Sequence, residues 1–166
     1  MNTNNLLDQY KQLSIVLKII VINTLIFLIV YLGSFFFKLP PSIFVSWFVL
    51  PTSFLEIVFQ PWSFVTYAFL HAGFWHLFWN MYLLYWFGLF TLNLFTSKRF
   101  LTIYLLGAIN GGLFYVLAYN FFPVFNNISS NLMGASAAVL AIVIFIATYT
   151  PNTIVRVFMF KVKLWK

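Results

Sequence analysis

The chain has no cysteine and almost no acid: of its 166 residues, only Asp8 and Glu56 carry a carboxylate side chain. Without cysteine there is no disulfide framework and no thiolate-bound zinc. With Asp8 in a polar lead-in, no pair of aspartates can stand inside an apolar segment. No HExxH occurs, so the zinc proteases built on that element are excluded. His71 and His76 are the only histidines. They lie five apart without an acidic or thiolate companion, so neither a metal nor a cofactor is expected. Charge of either sign is scarce at 7% of residues. Soluble domains carry roughly a quarter, and this chain could not cover a soluble surface. The net charge of +7 does not point to nucleic acid, because its basic residues sit in clusters and none lies on a polar domain that could face a duplex.

What the chain has is apolar length. Hydrophobic residues make up 63% and aromatic residues 23%, with a mean hydropathy of +0.98. Backbone groups in lipid must be satisfied internally, which leaves helices or closed barrels. The apolar runs are long and unbroken, so helices are predicted. The expected fold is all-α, a polytopic transmembrane bundle in a single domain over 1–166, with spans near 15–37, 66–94, 100–119 and 135–148. The first, Ile15 to Phe37, is long enough to cross a bilayer core of about 30 Å at about 1.5 Å per residue. It is too long for a signal peptide, and no small-x-small cleavage site follows. Between the first two spans, 38–64 is broken by Pro40, Pro41, Pro51 and Pro61 and filled with Phe and Trp. That stretch reads as a loop or short helices lying in the membrane interface. Asn120 to Leu132 is an uncharged polar loop holding Asn126 and Asn127. The last stretch, from Val155 to Lys166, alternates apolar and basic residues and reads as the approach to a further helix, so the natural protein is expected to continue.

Orientation follows from the basic residues. Lys11, Lys18, Lys98, Arg99, Arg156, Lys161, Lys163 and Lys166 fall on one side of a four-span arrangement, and only Lys38 on the other. Basic loops stay cytoplasmic, so the N-terminus is expected in the cytoplasm. The aromatic loop and the Asn/Ser-rich loop then face outward.

Two features could carry chemistry. His76 and Asn80 stand four apart, on one face of a helix. Polar side chains inside a span are costly and mark function by default, although bonding between helices uses the same residue types. Ser136 stands in Asn131-Leu-Met-Gly134-Ala135-Ser136-Ala137-Ala138, after a polar loop and at a helix start. The free N–H groups of a helix N-terminus would stabilise an oxyanion in acyl transfer. Gly134 and Ala138, also four apart, equally suit a packing seam of small residues.

Together these pieces resemble the rhomboid family of intramembrane serine proteases. Thr66-Tyr-Ala-Phe-Leu-His71-Ala-Gly-Phe-Trp-His76-Leu-Phe-Trp-Asn80 looks like that family's second helix with its HxxxN element. Gly134-Ala-Ser136-Ala looks like the GxSG nucleophile motif on its fourth helix. The resemblance implies four of six spans. It also implies a serine–histidine dyad without an acid, cutting a substrate's transmembrane helix near the outer face, in a multi-pass protein such as those of the bacterial cytoplasmic membrane. Ser136 would be the nucleophile. His76 and Asn80, with the Ser136 backbone N–H, would form the oxyanion hole, and His71 and Gly134 would support the site structurally. The family's base, a histidine in an AHxxG context on the sixth helix, is absent from these residues, so the 166 residues alone are expected to be inactive. Ala137 replaces the second glycine of the motif. Leu140 stands where many relatives have tyrosine, and Ser63 stands where many have arginine. A rhomboid-like pseudoprotease that binds transmembrane helices without cutting them is the alternative. A small transporter or channel subunit would spread its polar residues over several spans, whereas these concentrate at one recessed place.

Overall fold

The structure, a computed structural model, describes residues 6–125, 128–152, 154–157 and 160–163; Asn126, Asn127 and Lys166 lie outside them. It is mostly helical. A short α1 (Leu6–Gln12) leads into α2 (Ile15–Phe37). Ser14 caps α2 by accepting from the Leu17 N–H, which satisfies one of the orphan donors of its first turn. The helix ends where Lys38 turns left-handed at φ 53°, and Pro40 and Pro41 follow. The outer segment then folds as short pieces: α3 (Pro41–Val45), β1 (Leu50–Pro51), α4 (Phe54–Phe59) and α5 (Ser63–Thr66). Each proline falls at or near a boundary, where its missing N–H costs little.

A 3₁₀ turn over Tyr67–Phe69 and an extended stretch lead into α6 (Phe74–Leu94). This corrects the second segment, expected to be helical from Thr66. Leu70 and Gly73 are extended, so the helix starts at Phe74 and His71 stands on the approach to it. After a tight turn capped by Thr96, α7 (Ser97–Phe121) returns, and β2 (Asn131–Leu132) pairs antiparallel with β1. The last helix is α8 (Ser136–Tyr149). Beyond it β3 (Ile154–Val157) and β4 (Phe160–Lys163) form an antiparallel hairpin. The expected helix approach is therefore a pair of strands, and the fold is not purely helical. The alternation of apolar and basic residues there has period two, and Val155, Val157 and Val162 favour extended chain.

Helix α8 packs against both α6 and α7, and α2 packs on α6. Small residues set the approach. A methyl added at Gly107 would meet the Ala141 side chain, and one at Gly111 would meet the Ala137 methyl. A methyl at Gly88 would lie 2.8 Å from Val16 of α2 and 3.3 Å from Phe100 of α7. The interior is closed by Val16, Leu84, Phe100, Tyr104 and Ile142.

Outside, the helices stay apolar. Two of them, α2 and α7, are long and apolar enough to cross a membrane. Neither is a core helix, since only 17% and 28% of their most apolar windows are buried. Phe35 and Phe114 are 76% and 72% exposed. An apolar face of that size has no favourable contact with water. α6 matches the two in length but carries His76, Asn80 and a row of Trp and Tyr. With 14 residues, α8 reaches about 21 Å.

Candidate active site

Three pieces of chain converge: the turn over Tyr67–Phe69 with His71 behind it, the first turns of α6, and the loop from Leu132 to Ser136. Tyr67 is the hub. Its ring is fully buried, and its hydroxyl donates to the Ala108 carbonyl of α7 at 2.7 Å. Its own carbonyl accepts the Gly134 N–H at 2.9 Å. The loop before Ser136 is thus tied to the turn, and the turn to α7. On its other side the loop is held by the pairing of Leu132 with Leu50.

Gly134 is where glycine is required. Its φ of +126° is a conformation that side chains rarely adopt, and a Cβ there would lie 2.6 Å from Cε1 and Nε2 of His76. The His76 ring therefore lies directly against the backbone two residues before Ser136. Across the ring, the Ala72 N–H approaches His76 Nδ1 at 3.5 Å. Nε2 is the nitrogen turned toward Gly134. Asn80, one turn further on and buried, donates from Nδ2 to the His76 carbonyl at 2.8 Å.

His71 is buried as well. It meets His76 edge to face with ring centroids 5.1 Å apart, and its Nε2 lies 3.5 Å from the Ala135 N–H. Its Nδ1 has no hydrogen-bond partner among the described residues. Ser136 opens α8 and is exposed. Ala135, the N-cap residue, offers no side-chain acceptor to the first turn, and the N–H groups of a helix start lack intrahelical partners and suit an anion. Ser136 makes no hydrogen bond to either histidine. Among the described residues no three His, Cys, Asp or Glu side chains come together as a metal site would need.

The structure thus brings His71, His76, Gly134 and the start of α8 to one place, with Asn80 a turn below His76. Residues 58–165, well over half the chain, match the family model of the rhomboid domain. The chain belongs to the rhomboid family. Curated proteins and solved structures gave no match. The matched stretch takes in the end of the outer segment, α6, α7 and α8, and so contains every residue of the site. Rhomboids are membrane proteins and generally intramembrane serine proteases, which accords with the two apolar, little-buried helices.

In this rhomboid the motif's Ala137 is accommodated by a partner. Its methyl group occupies the space left by Gly111 on α7, so a larger residue on α8 is matched by the absence of one opposite. Ser63 is fully buried and its hydroxyl has no partner among the described residues; nothing in the structure explains it. Sequence reasoning missed Tyr67 and Tyr104, whose hydroxyls reach the carbonyls of Ala108 and Ala68. It also missed Asn23, fully buried in the middle of α2. An asparagine inside a span was the available signal for the last.

Proposed function

We propose that this rhomboid is a serine endopeptidase that cleaves the transmembrane segment of a membrane-protein substrate, with Ser136 as nucleophile. The observation that carries the reading is the seating of the His76 ring against Gly134, two residues before Ser136. Ser136 Oγ attacks the substrate's peptide carbonyl and passes its proton to a base. The carbonyl oxygen, now anionic, accepts from His76, Asn80 and the Ser136 N–H. Preorganised donors of this kind act most strongly away from water. The base returns the proton to the leaving amine, and water then hydrolyses the acyl-enzyme. For the oxyanion role, Asn80 must turn its amide from the His76 carbonyl into the site. Neither His71 nor His76 is placed as the base. In the family resemblance that role belongs to a histidine in an AHxxG context, and no step here is routed through either of these two.

The same reading makes the protein multi-pass, with α2, α6, α7 and α8 as spans, the N-terminus cytoplasmic and the site near the outer face of a bacterial cytoplasmic membrane. It is supported by the side on which the basic residues fall and by the loop of 38–64, which carries exposed Trp47, Phe54 and Phe59. The test is labelling of the full-length protein in detergent with a fluorophosphonate. Labelling lost in Ser136→Ala supports the nucleophile. Wild-type protein that stays unlabelled favours the rhomboid-like helix binder that does not cut.

A further inference from the structure

A cavity lies at the opposite end of the helices from Ser136. It measures about 630 Å³ and is bounded by Phe95, Thr96, Lys98, Arg99, Thr102, Ile103, Phe145 and Tyr149. These come from the α6–α7 turn, the first turns of α7 and the last turns of α8. Its two halves differ in chemistry. One carries two cations, Lys98 and Arg99, both exposed. The other is aromatic: Phe95 meets Tyr149 at 4.8 Å and Phe145 at 5.1 Å between ring centroids.

Among the described residues the two cations have no counter-ion. Asp8 is engaged with Lys11 at 3.7 Å, and Glu56 lies on α4 in the outer segment. These are the chain's only carboxylate side chains, and among the described residues no ion pair involves Lys98 or Arg99. Arg99 instead lies over the Phe95 ring at 5.6 Å, which holds its guanidinium at the mouth of the aromatic wall. A cavity at the end of apolar helices, with unpaired cations on one wall and aromatic and aliphatic groups on the other, matches an amphiphilic anion: phosphate against Lys98 and Arg99, acyl chain along Phe145, Tyr149 and Ile103.

We infer that this cavity is a binding site for an anionic phospholipid of the cytoplasmic leaflet. The inference rests on the bilayer placement proposed above but not on catalysis, so a protein that cuts nothing would still bind at this end.

The test is native mass spectrometry of the full-length protein taken from bilayers of phosphatidylcholine with added phosphatidylglycerol. The site predicts one or a few phosphatidylglycerol molecules retained per protein in preference to phosphatidylcholine. Lys98→Gln/Arg99→Gln should lower that retention by roughly tenfold or more, on the scale of basic residues at an anionic surface. Lys98→Arg/Arg99→Lys should keep it, which separates lost charge from lost folding. Lys11→Gln/Lys18→Gln removes equal charge elsewhere at the same end and should leave retention unchanged. Equal retention of both lipids overturns the inference, as does an equal loss in the two Gln double variants. Release of the lipid by millimolar glycerol phosphate would also overturn it, since that would mark a site for soluble phosphate.

Discussion

At the scale of single residues, the site depends on one glycine and one tyrosine more than on its polar groups alone. Gly134 combines a positive φ with a histidine ring where its side chain would be. Gly134→Ala should therefore push His76 aside as well as strain the backbone, at about 1–3 kcal/mol for the strain alone. Labelling of Ser136 should fall at least as far as in His76→Ala, where loss of one oxyanion donor costs on the order of 10²–10³ in rate. Labelling rates of the two variants check this. Tyr67→Phe removes the bond to Ala108 while keeping the ring. We expect a loss of about 0.5–1.5 kcal/mol, read as a lower melting temperature in detergent. The placement of His76 and Asn80 on one helix and of Ser136 at a helix start was legible in the sequence, because polar groups are conspicuous among apolar ones. Tyr67 was not. Its importance lies in a carbonyl that accepts from residue 134, and a backbone bond across so much sequence leaves no mark on the side chains.

At the scale of elements, the closest helix contact is α7 on α8, and it works by complementary absence. Gly107 and Gly111 receive Ala141 and Ala137. Gly111→Ala should cost about 1–3 kcal/mol by overpacking. Ala137→Gly in the same chain should recover most of it, so the pair should be coupled in a double-mutant cycle of thermal unfolding. Additive effects would mean the two residues do not meet. The long helices were legible from apolar length, and the breaks after Phe37 from proline. The start of α6 was not, because Thr66 to Gly73 holds no proline or charge to interrupt the apolar reading; the interruption is an extended backbone at Leu70 and Gly73. The hairpin of β3 and β4 was visible as a period-two pattern of valine and lysine, but the helical context drew the reading toward another helix.

At the scale of the whole molecule, the arrangement of basic residues and the family membership converge on a chain lying in a bilayer. The 166 residues hold no cysteine, so a thiol introduced among them has no competitor there. With the N-terminus cytoplasmic, Ser42→Cys should react with a membrane-impermeant maleimide added outside intact cells, whereas Thr96→Cys should react only after permeabilisation. The reverse pattern would invert the topology and put Ser136 near the cytoplasmic face.

The central claim is that Ser136 cuts peptide bonds within a membrane, and its most direct test is cleavage by the full-length protein in liposomes. A substrate with a single transmembrane segment, analysed by mass spectrometry, should yield two fragments divided near the outer end of that segment. Ser136→Ala should yield none, and His76→Ala should yield them on the order of 10²-fold more slowly. Fragments that persist unchanged in Ser136→Ala would contradict the account.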